Sequence, residues 1–253
     1  PKYTYEVNTM GTINVLNILK EINFVKNALI ITTDKVYSNK NIKKYFKEND
    51  ILGGIDPYSS SKSCAEIVVN SYSKSFFRKK KISVATARAG NVIGGGDFSK
   101  DRIIPDYFRS LLKKQSLILR SPNSIRPWQH VLDPLYGYIL VLMKLYKKQL
   151  PTGSAFNFGP DFSSNKNVFQ IVNLINKSFN NSVKIKKTKN KTIKFNESKI
   201  LMLNSNKSKK ILNWKSKYNV NQSINLTSSW FDNFINKKNN LEIIENQIKD
   251  YLK

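Results

Sequence analysis

Two short segments constrain the fold of this chain most: a continuous apolar run at residues 28–32, and residues 82–87, which also have the pattern of a buried strand. Such segments are typical of parallel strands that are buried on both faces. A helical pattern with an N-cap at Asn8 or Thr9 precedes the first segment and extends to about residue 22. A second helical pattern, from about residue 57 to residue 77, separates the two segments. Because strands alternate with helices, the sequence predicts an α/β fold with a Rossmann-like, doubly wound parallel sheet.

The second half of the chain has a looser pattern, which predicts a smaller α/β domain. We expect residues 1–90, with contributions from about residues 129–160, to form the sheet domain, and residues 91–253 to form mainly the smaller one. The polar segment at residues 38–56 is expected to be a loop. Further strands are expected at residues 117–120 and 155–158. Further helices are expected at residues 104–114, 131–145, 168–179, 205–212, 220–235 and from 241 onward.

The charge of the chain suggests a nucleic-acid partner at first sight. Forty-three lysines and arginines stand against 17 acidic residues, which gives a formal net charge of +26. The lysines are spread along the whole length, however, and the densest cluster, at residues 78–81, lies where a helix gives way to a strand. We therefore predict no nucleic-acid partner, and a general attraction of anionic substrates.

The remaining composition excludes several kinds of site. The chain has one cysteine, Cys64, and one histidine, His130, so an internal disulfide and a histidine-based or multi-cysteine metal site are excluded. No run of about 18 apolar residues suggests a membrane span, and the first residues lack the pattern of a signal peptide. The sequence predicts a cytoplasmic protein without a membrane partner.

The sharpest local motif is a tyrosine and a lysine four residues apart, Tyr58 and Lys62, on one predicted helix. At this spacing both side chains project from the same helix face. An ammonium close to a phenol favours the phenolate, so the tyrosine can act as a base near neutrality. A surface pair on an amphipathic helix has the same spacing, so the motif alone leaves both interpretations open.

Three longer segments add specificity to this motif. They are DILGGIDPYSSSK at residues 50–62, ARAGNVIGGGD at residues 87–97 and RPWQHV at residues 126–131. In this order they are similar to the CDP-glucose 4,6-dehydratases, a branch of the extended short-chain dehydrogenase/reductases. The resemblance extends from Asn8 to about Trp230, and it implies an NAD-dependent lyase that removes water from CDP-glucose. It also implies that the sheet domain is the remainder of an NAD-binding domain and that the smaller domain binds mainly the sugar nucleotide.

The resemblance also implies roles for residues that follow the first strand and begin the next helix. Tyr58 would be the base at the sugar C4 hydroxyl, and Lys62 would be its electrostatic partner and a contact of the cofactor ribose. Thr33 would hydrogen-bond at C4, and Asp34 would protonate the departing C6 hydroxyl. A carboxyl can do this only if part of it stays protonated, so we expect Asp34 to be buried.

Lys35 departs from the dTDP-glucose dehydratases, which resemble this chain but have a glutamate there that is proposed to remove the C5 proton. The CDP-glucose branch has lysine. A lysine acts as a base only when neutral, which desolvation and the nearby charge of Lys62 would favour. Lys35 as the C5 base and Lys35 as a residue that positions substrate both stay open.

The predicted binding residues divide into two sets. The cofactor set contains Tyr58, Lys62, Asn8 and Thr32, and Asn8 has a helix cap as its alternative role. The substrate set consists of residues that resemble the family's sugar-nucleotide contacts: Asn91, Arg102, Arg126 and His130. Arg126 and Arg102 are the predicted diphosphate ligands. For His130 a structural role is the alternative. The glycine run at residues 94–96 is interpreted as a mobile substrate loop.

A dinucleotide-binding fold has a glycine-rich fingerprint at its first strand-to-helix turn, followed by an acidic residue about 20 residues later. Neither feature is found in this sequence. We therefore expect the first strands of the sheet, roughly 60 to 90 residues, to be missing, and the chain by itself to bind NAD poorly and to be inactive. We also expect a homodimer or a higher homo-oligomer.

Two other interpretations stay open at this point. An epimerase, or a dehydratase of dTDP-glucose or GDP-mannose, would also keep Tyr58 and Lys62, although the acidic Asp34 is not needed by a simple epimerase. A basic binding protein without catalysis would use the lysine-rich surface.

Overall fold

A computed structural model describes residues 1–40, 42–187 and 200–253. Short 3₁₀ segments lie at Asp34–Val36 and Phe162–Ser164, and π-helical turns at Glu6–Met10 and Ser73–Phe77. The strands are β1 (Asn27–Ile31), β2 (Tyr45–Phe46), β3 (Ser83–Ala89), β4 (Val92–Ile93), β5 (Leu117–Leu119), β6 (Ile125–Pro127), β7 (Gln129–His130), β8 (Ser154–Phe158), β9 (Asn165–Asn167), β10 (Ile185–Lys187) and β11 (Met202–Leu203). The helices are α1 (Lys2–Tyr5), α2 (Gly11–Glu21), α3 (Pro57–Tyr72), α4 (Arg78–Lys80), α5 (Ile103–Leu112), α6 (Leu132–Tyr146), α7 (Val168–Ser178), α8 (Asn206–Leu212), α9 (Val220–Ile235) and α10 (Asn240–Leu252).

The chain divides into two compact units. Unit 1 comprises Pro1–Gly90, Pro134–Gly159 and Leu201–Lys215. Unit 2 comprises Asn91–Asp133, Pro160–Ile200 and Ser216–Lys253. The functions that the sequence assigns to the sheet domain and to the smaller domain stay predictions.

A parallel sheet forms the centre of unit 1. Its strand order is β1-β3-β8, with β3 in the middle, and both pairings are parallel. Ile30 is paired with Thr86, and Ala87 is paired with Phe156. All residues of β3 after Ser83 are buried, as expected for a strand that is covered on both faces. The predicted α/β fold with a parallel sheet is confirmed.

Helix α3 begins at the predicted residue because its first turn is well specified. Pro57 occupies the first helical position, where its missing N–H costs nothing. Asp56 is the N-cap and forms a capping box with Ser59, in which each side chain accepts from the backbone N–H of the other residue. Apolar residues of α2 and α3 then pack with the start of β3 in one cluster: Leu16, Leu19, Val69, Phe77, Ile82 and Val84.

The predicted N-cap at Asn8 or Thr9 is wrong. The helical chain already begins at Lys2 and passes through a π-helical turn at Glu6–Met10 before α2. The polar side chains that suggested a cap make tertiary contacts instead. Asn8 Nδ2 donates to Ser61 Oγ at 3.0 Å, and Thr9 Oγ1 donates to the Ser61 carbonyl at 3.1 Å.

Several short strands were not predicted from the sequence. The segment at residues 38–56, expected to be a loop, contains β2, which pairs in parallel with β11. In unit 2, β4 pairs with β7 and β6 with β9, whereas the strand predicted at residues 117–120 is confirmed as β5, which pairs with β10. Strands of two or three residues are too short to show a period of two, so only their tertiary pairing defines them.

Unit 2 has its own aromatic core. The rings of Phe108 on α5 and Phe231 on α9 stack with centroids 3.5 Å apart, and Tyr107 and Phe179 pack beside them. Trp230 contributes to the same cluster and packs against the backbone of Gly95. The glycine run at residues 94–96 is therefore in contact with the core of unit 2 at Gly95.

Substitution of Gly95 by alanine is expected to destabilise unit 2 by about 1–3 kcal/mol. A Cβ at this position would lie 2.1 Å from Cγ of Trp230, so the indole or the loop must shift. The measurement is urea unfolding followed by tryptophan fluorescence. Gly11→Ala is the matched control: it lies in a helix, and its new Cβ would meet nothing closer than 3.8 Å. An unchanged midpoint for Gly95→Ala would contradict this packing.

Candidate active site

In unit 1, polar side chains follow the carboxyl end of β1. Thr32, Thr33 and Asp34 are all buried, and Asp34 is only 3% exposed. Thr33 Oγ1 donates to Asp34 Oδ1 at 3.1 Å and accepts from the backbone N–H of Lys35 at 3.4 Å. The expected burial of Asp34 at a strand end is confirmed. The carboxyl ends of parallel strands are where open α/β sheets bind their ligands.

Helix α3 brings the tyrosine and lysine of the motif to this strand end. Lys62 Nζ donates to the carbonyl of Ile31, the last residue of β1, at 3.2 Å. The ring of Tyr58 is 42% exposed, and Nζ of Lys35 lies 6.0 Å from its centroid. Three of the predicted catalytic side chains, from two different segments, thus meet at one end of the sheet.

The environment of Lys62 favours its neutral form more than water does. Its side chain is half-buried between α3 and the end of β1, and burial lowers the pKa of the ammonium.

Asn8 supports the first turn of α3 through a hydrogen bond to Ser61. Ser61 Oγ, which accepts from Asn8 Nδ2, donates in turn to the carbonyl of Tyr58 at 2.9 Å. Ser63 Oγ donates to the carbonyl of Val36, just beyond Asp34, at 2.9 Å. Asn8 therefore supports the helix that carries Tyr58. A direct contact of Asn8 with a cofactor stays a prediction.

A buried ion pair beneath the strand end was missed in the sequence. Arg88 on β3 binds Glu66 on α3 through two bonds, Nε to Oε1 at 2.9 Å and Nη2 to Oε2 at 2.8 Å. Thr86 Oγ1 donates to Glu66 Oε2 at 2.7 Å, and Thr32 Oγ1 donates to Glu66 Oε1. Two signals could have revealed it: a glutamate four residues after Lys62, and an arginine inside an apolar strand.

The network continues from Arg88 to the segment around β2. Arg88 Nη1 donates to the hydroxyl of Tyr37 at 2.9 Å and to the carbonyl of Glu48 at 3.0 Å. The Tyr37 hydroxyl donates to Asn157 Oδ1 at 2.6 Å, and Glu48 accepts from the backbone N–H of Asn157. Burial raises the pKa of Tyr37 and of the Glu48 carboxyl. Tyr37 and Glu48 are thus fixed to β3 and β8 by polar contacts.

The predicted substrate residues lie in unit 2. The backbone carbonyl of Asn91 accepts from the N–H of Gln129 at 3.0 Å. Arg102 forms an exposed ion pair with Asp97 at 3.2 Å, whereas Arg126 on β6 is buried and donates to the carbonyl of Ile125 at 2.9 Å. Their binding roles stay predictions.

His130 on β7 is 1% exposed. Its Nδ1 accepts from the backbone N–H of Leu132 at 3.4 Å, and its ring meets the edge of Tyr218 with centroids 5.6 Å apart. Burial lowers the pKa of His130 to about 4. The imidazole is therefore neutral at physiological pH. This packing fits the structural alternative for His130, and its predicted substrate contact stays a prediction.

The burial of His130 predicts a pH dependence of stability. Because its pKa in the folded state lies below the unfolded value, the stabilisation is complete above about pH 6.5 and is lost as the pH falls toward 4. The expected loss from this residue is about 3 kcal/mol. Urea unfolding from pH 7 to pH 4 should show a shallower decline in His130→Gln than in the wild type, with titration of the only histidine by NMR as a check. Equal declines would contradict the assignment.

Within the described part of the chain, no group of three or more histidine, cysteine, aspartate or glutamate side chains is placed to hold a metal ion. Nor does any helix among the described residues have the length and apolar character needed to cross a membrane.

Comparison with known proteins agrees with the motif and its geometry. A family model described as GDP-mannose 4,6 dehydratase matches residues 1–227. The chain belongs to this family. The resemblance to sugar-nucleotide 4,6-dehydratases that the sequence motifs indicated is thereby confirmed.

Two relatives show how much of a GDP-mannose 4,6 dehydratase family protein this chain represents. The CDP-glucose 4,6-dehydratase of Salmonella typhimurium is 46% identical over 177 residues, which cover 68% of this chain and 49% of that protein. The dTDP-D-glucose 4,6-dehydratase of Dictyostelium discoideum is 31% identical over 172 residues, which cover 64% of this chain and 37% of that protein. The chain therefore spans half or less of the length of these relatives.

Solved structures share the fold of this family member. The dTDP-glucose 4,6-dehydratase of Bacillus anthracis, solved in complex with NAD, matches 90% of this chain and 68% of its own with a TM-score of 0.75 at 23% identity. The UDP-glucuronic acid 4-epimerase of Bacillus cereus, solved with UDP-glucuronic acid and NAD, matches 90% of this chain and 68% of its own with a TM-score of 0.77 at 18% identity. At these identities the likeness concerns the fold.

Proposed function

We propose that this chain supplies the proton-transfer residues of an NAD-dependent lyase that converts CDP-glucose into CDP-4-keto-6-deoxyglucose and water. The observation that carries the proposal is the convergence of Tyr58, Lys62, Asp34 and Lys35 at the carboxyl end of β1. The 46% identity to a CDP-glucose 4,6-dehydratase supports the choice of substrate. The proposal concerns the whole protein to which this chain belongs.

Tyr58 is the proposed base at the C4 hydroxyl of the sugar. Its ring is accessible to a ligand, and two lysines lie close to the same strand end, Lys35 beside the ring and Lys62 one helical turn further on. Positive charge near a phenol favours the phenolate, which then accepts the hydroxyl proton. Thr33 supplies a hydroxyl that can hydrogen-bond at C4.

Asp34 is the proposed acid for the departing C6 hydroxyl. Burial favours the neutral carboxyl, which can deliver a proton and so release water instead of hydroxide. Lys35 is the proposed C5 base, and a role in positioning the sugar is its alternative. Solvent deuterium incorporation at C5, measured in Lys35→Gln, separates the two: unchanged incorporation removes Lys35 as the base.

The residues of unit 1 fit the ribose end of a nicotinamide dinucleotide. The ammonium of Lys62 binds the carbonyl of Ile31 at the carboxyl end of β1, and Thr32 is the residue that follows Ile31. Tyr58, one helical turn before Lys62, is exposed. When bound, NAD would take a hydride from C4 and return it to C6, so the reaction consumes no external oxidant. Tyr58 and Lys62 would hold the ribose hydroxyls, with Asn8 supporting α3 from behind.

The remaining assignments are part of the same proposal. Asn91, Arg102, Arg126 and His130 are the proposed contacts of the sugar nucleotide. A homodimer or higher homo-oligomer is supported by exposed apolar side chains along the first helical segment, including Tyr3, Val7, Met10 and Ile18. A cytoplasmic location stays a prediction.

Incubation of the natural full-length protein with CDP-glucose, dTDP-glucose, GDP-mannose and UDP-glucose tests the proposal. We expect a 4-keto-6-deoxy product, formed fastest from CDP-glucose and detected by NMR of the sugar. A C4 epimer as the product would make the protein an epimerase, and preference for another nucleotide would change the substrate. No conversion of any sugar nucleotide would overturn the enzymatic assignment and favour a basic binding protein.

A further inference from the structure

Glu66 lies on the same face of α3 as the two motif residues. Tyr58, Lys62 and Glu66 are four residues apart in succession, so their side chains follow one another along the helix. The last two contact consecutive residues at the end of β1: Lys62 binds the carbonyl of Ile31, and Glu66 accepts from the hydroxyl of Thr32. Two helical turns are thereby fixed to one strand end.

The position of Glu66 is itself fixed from β3. Both carboxylate oxygens are engaged by the guanidinium of Arg88, and one of them also by the hydroxyl of Thr86. Glu66 and Arg88 are 4% and 3% exposed. A two-bond guanidinium–carboxylate pair has a defined geometry as well as charge, so it restricts rotation and sliding of α3 on the sheet.

We infer that Glu66, clamped by Arg88, is a positioning residue that sets the register of α3 against β1 and so places the Tyr58–Lys62 pair beside Thr33 and Asp34. This inference rests on the proposed function for its catalytic consequence. The structural part concerns unit 1 alone. Loss of the carboxylate removes the side-chain bond between α3 and Thr32, so that the Lys62 turn can move away from the strand end. The charged or titratable groups near that end are Asp34, Lys35, Tyr58 and Glu66, with Arg88 of β3 paired to Glu66.

The test uses the full-length protein with Glu66→Gln and with the double variant Glu66→Leu/Arg88→Met. The double variant removes both buried charges together and fills their volume with apolar groups, which folded proteins commonly tolerate. It therefore keeps the test decisive if Glu66→Gln does not fold. Thr86→Val is the matched control, because it removes one hydrogen bond to the same carboxylate but leaves the Thr32 bond and the Arg88 clamp in place.

The first readout needs no sugar substrate. In protein labelled with ¹³C-lysine, the Lys62 resonance is assigned by its loss in Lys62→Arg and is titrated with pH. We expect the titration midpoint to rise toward that of an exposed lysine, about 10.4, in both Glu66 variants, and to stay at the wild-type value in Thr86→Val. A wild-type midpoint in the folded double variant would overturn the inference.

The second readout is catalysis. A misplacement on the order of 1 Å can cost a hundredfold in rate, so we expect kcat to fall by about tenfold to a hundredfold in the folded Glu66 variants, with little change in KM. Wild-type kcat in the folded double variant would also overturn the inference. If the wild type converts no sugar nucleotide, the proposed function fails, and the Lys62 titration still decides the position of α3.

Discussion

Replacement of Tyr58 by phenylalanine is expected to lower kcat of the proposed dehydratase by about 10²–10⁴-fold. The substitution removes only the phenol oxygen, which we assign as the base at the C4 hydroxyl. Tyr58 is 42% exposed, so folding should be preserved. The measurement is steady-state conversion of CDP-glucose by the full-length protein, with circular dichroism to verify folding.

Tyr146→Phe is the matched control for this prediction. Tyr146 also belongs to unit 1, at the end of α6, and is 77% exposed. This control also removes a phenol oxygen, but at a residue that is distant in sequence from Tyr58 and Lys62. No loss of kcat is expected. Full activity of Tyr58→Phe would exclude the phenol as the base, and an equal loss in both variants would indicate a general effect of the substitution.

Replacement of Arg88 by methionine is expected to destabilise the protein by about 3–5 kcal/mol. The variant leaves the Glu66 carboxylate buried without its opposite charge, while Thr32 and Thr86 alone remain as donors. It also removes the contacts from Arg88 to Tyr37 and to the Glu48 carbonyl. Chemical unfolding, followed by circular dichroism, measures the loss.

The surface pair of Lys44 and Asp50 provides the control. Its charged atoms are 2.8 Å apart, but the lysine side chain is 43% exposed. Lys44→Met is therefore expected to cost at most about 1 kcal/mol, as for other exposed pairs. If Arg88→Met lost no more stability than Lys44→Met, the buried pair would not be a main support of unit 1.

The parts of the fold that the sequence predicted are those in which local signals agree. Helix α3 has a proline at its first position and an aspartate cap, and it begins where these features place it. Strand β3 was predicted at residues 82–87, and all of its residues after Ser83 are buried. Such elements are specified by neighbouring residues, so one sequence suffices to locate them.

The cap at Asn8 shows why other elements were missed. An asparagine before a helical pattern suits an N-cap, but its side chain binds Ser61, 53 residues away. Likewise, the two-residue strand β2 exists because it pairs with β11, which is distant in sequence. Contacts of this kind depend on the assembled fold, and no local pattern encodes them.

The sequence predicted only part of the candidate site, because some of its contacts also depend on the assembled fold. Tyr58 and Lys62 were predicted because four-residue spacing on a helix is a local property, and Asp34 because the motifs resemble those of the CDP-glucose 4,6-dehydratases. Glu66 and Arg88 lie 22 residues apart and meet only through the packing of α3 on β3. A buried arginine needs an acidic partner, but the sequence does not show which acidic residue pairs with Arg88.

The most direct test of the proposed reaction follows one hydrogen atom. The full-length protein is supplied with CDP-glucose that carries deuterium at C4, and the product sugar is analysed by NMR and mass spectrometry. Internal hydride transfer predicts that the deuterium of C4 is recovered at C6 of the 4-keto-6-deoxy product. A product without deuterium at C6, or an unreacted sugar that keeps its label at C4, would contradict the account.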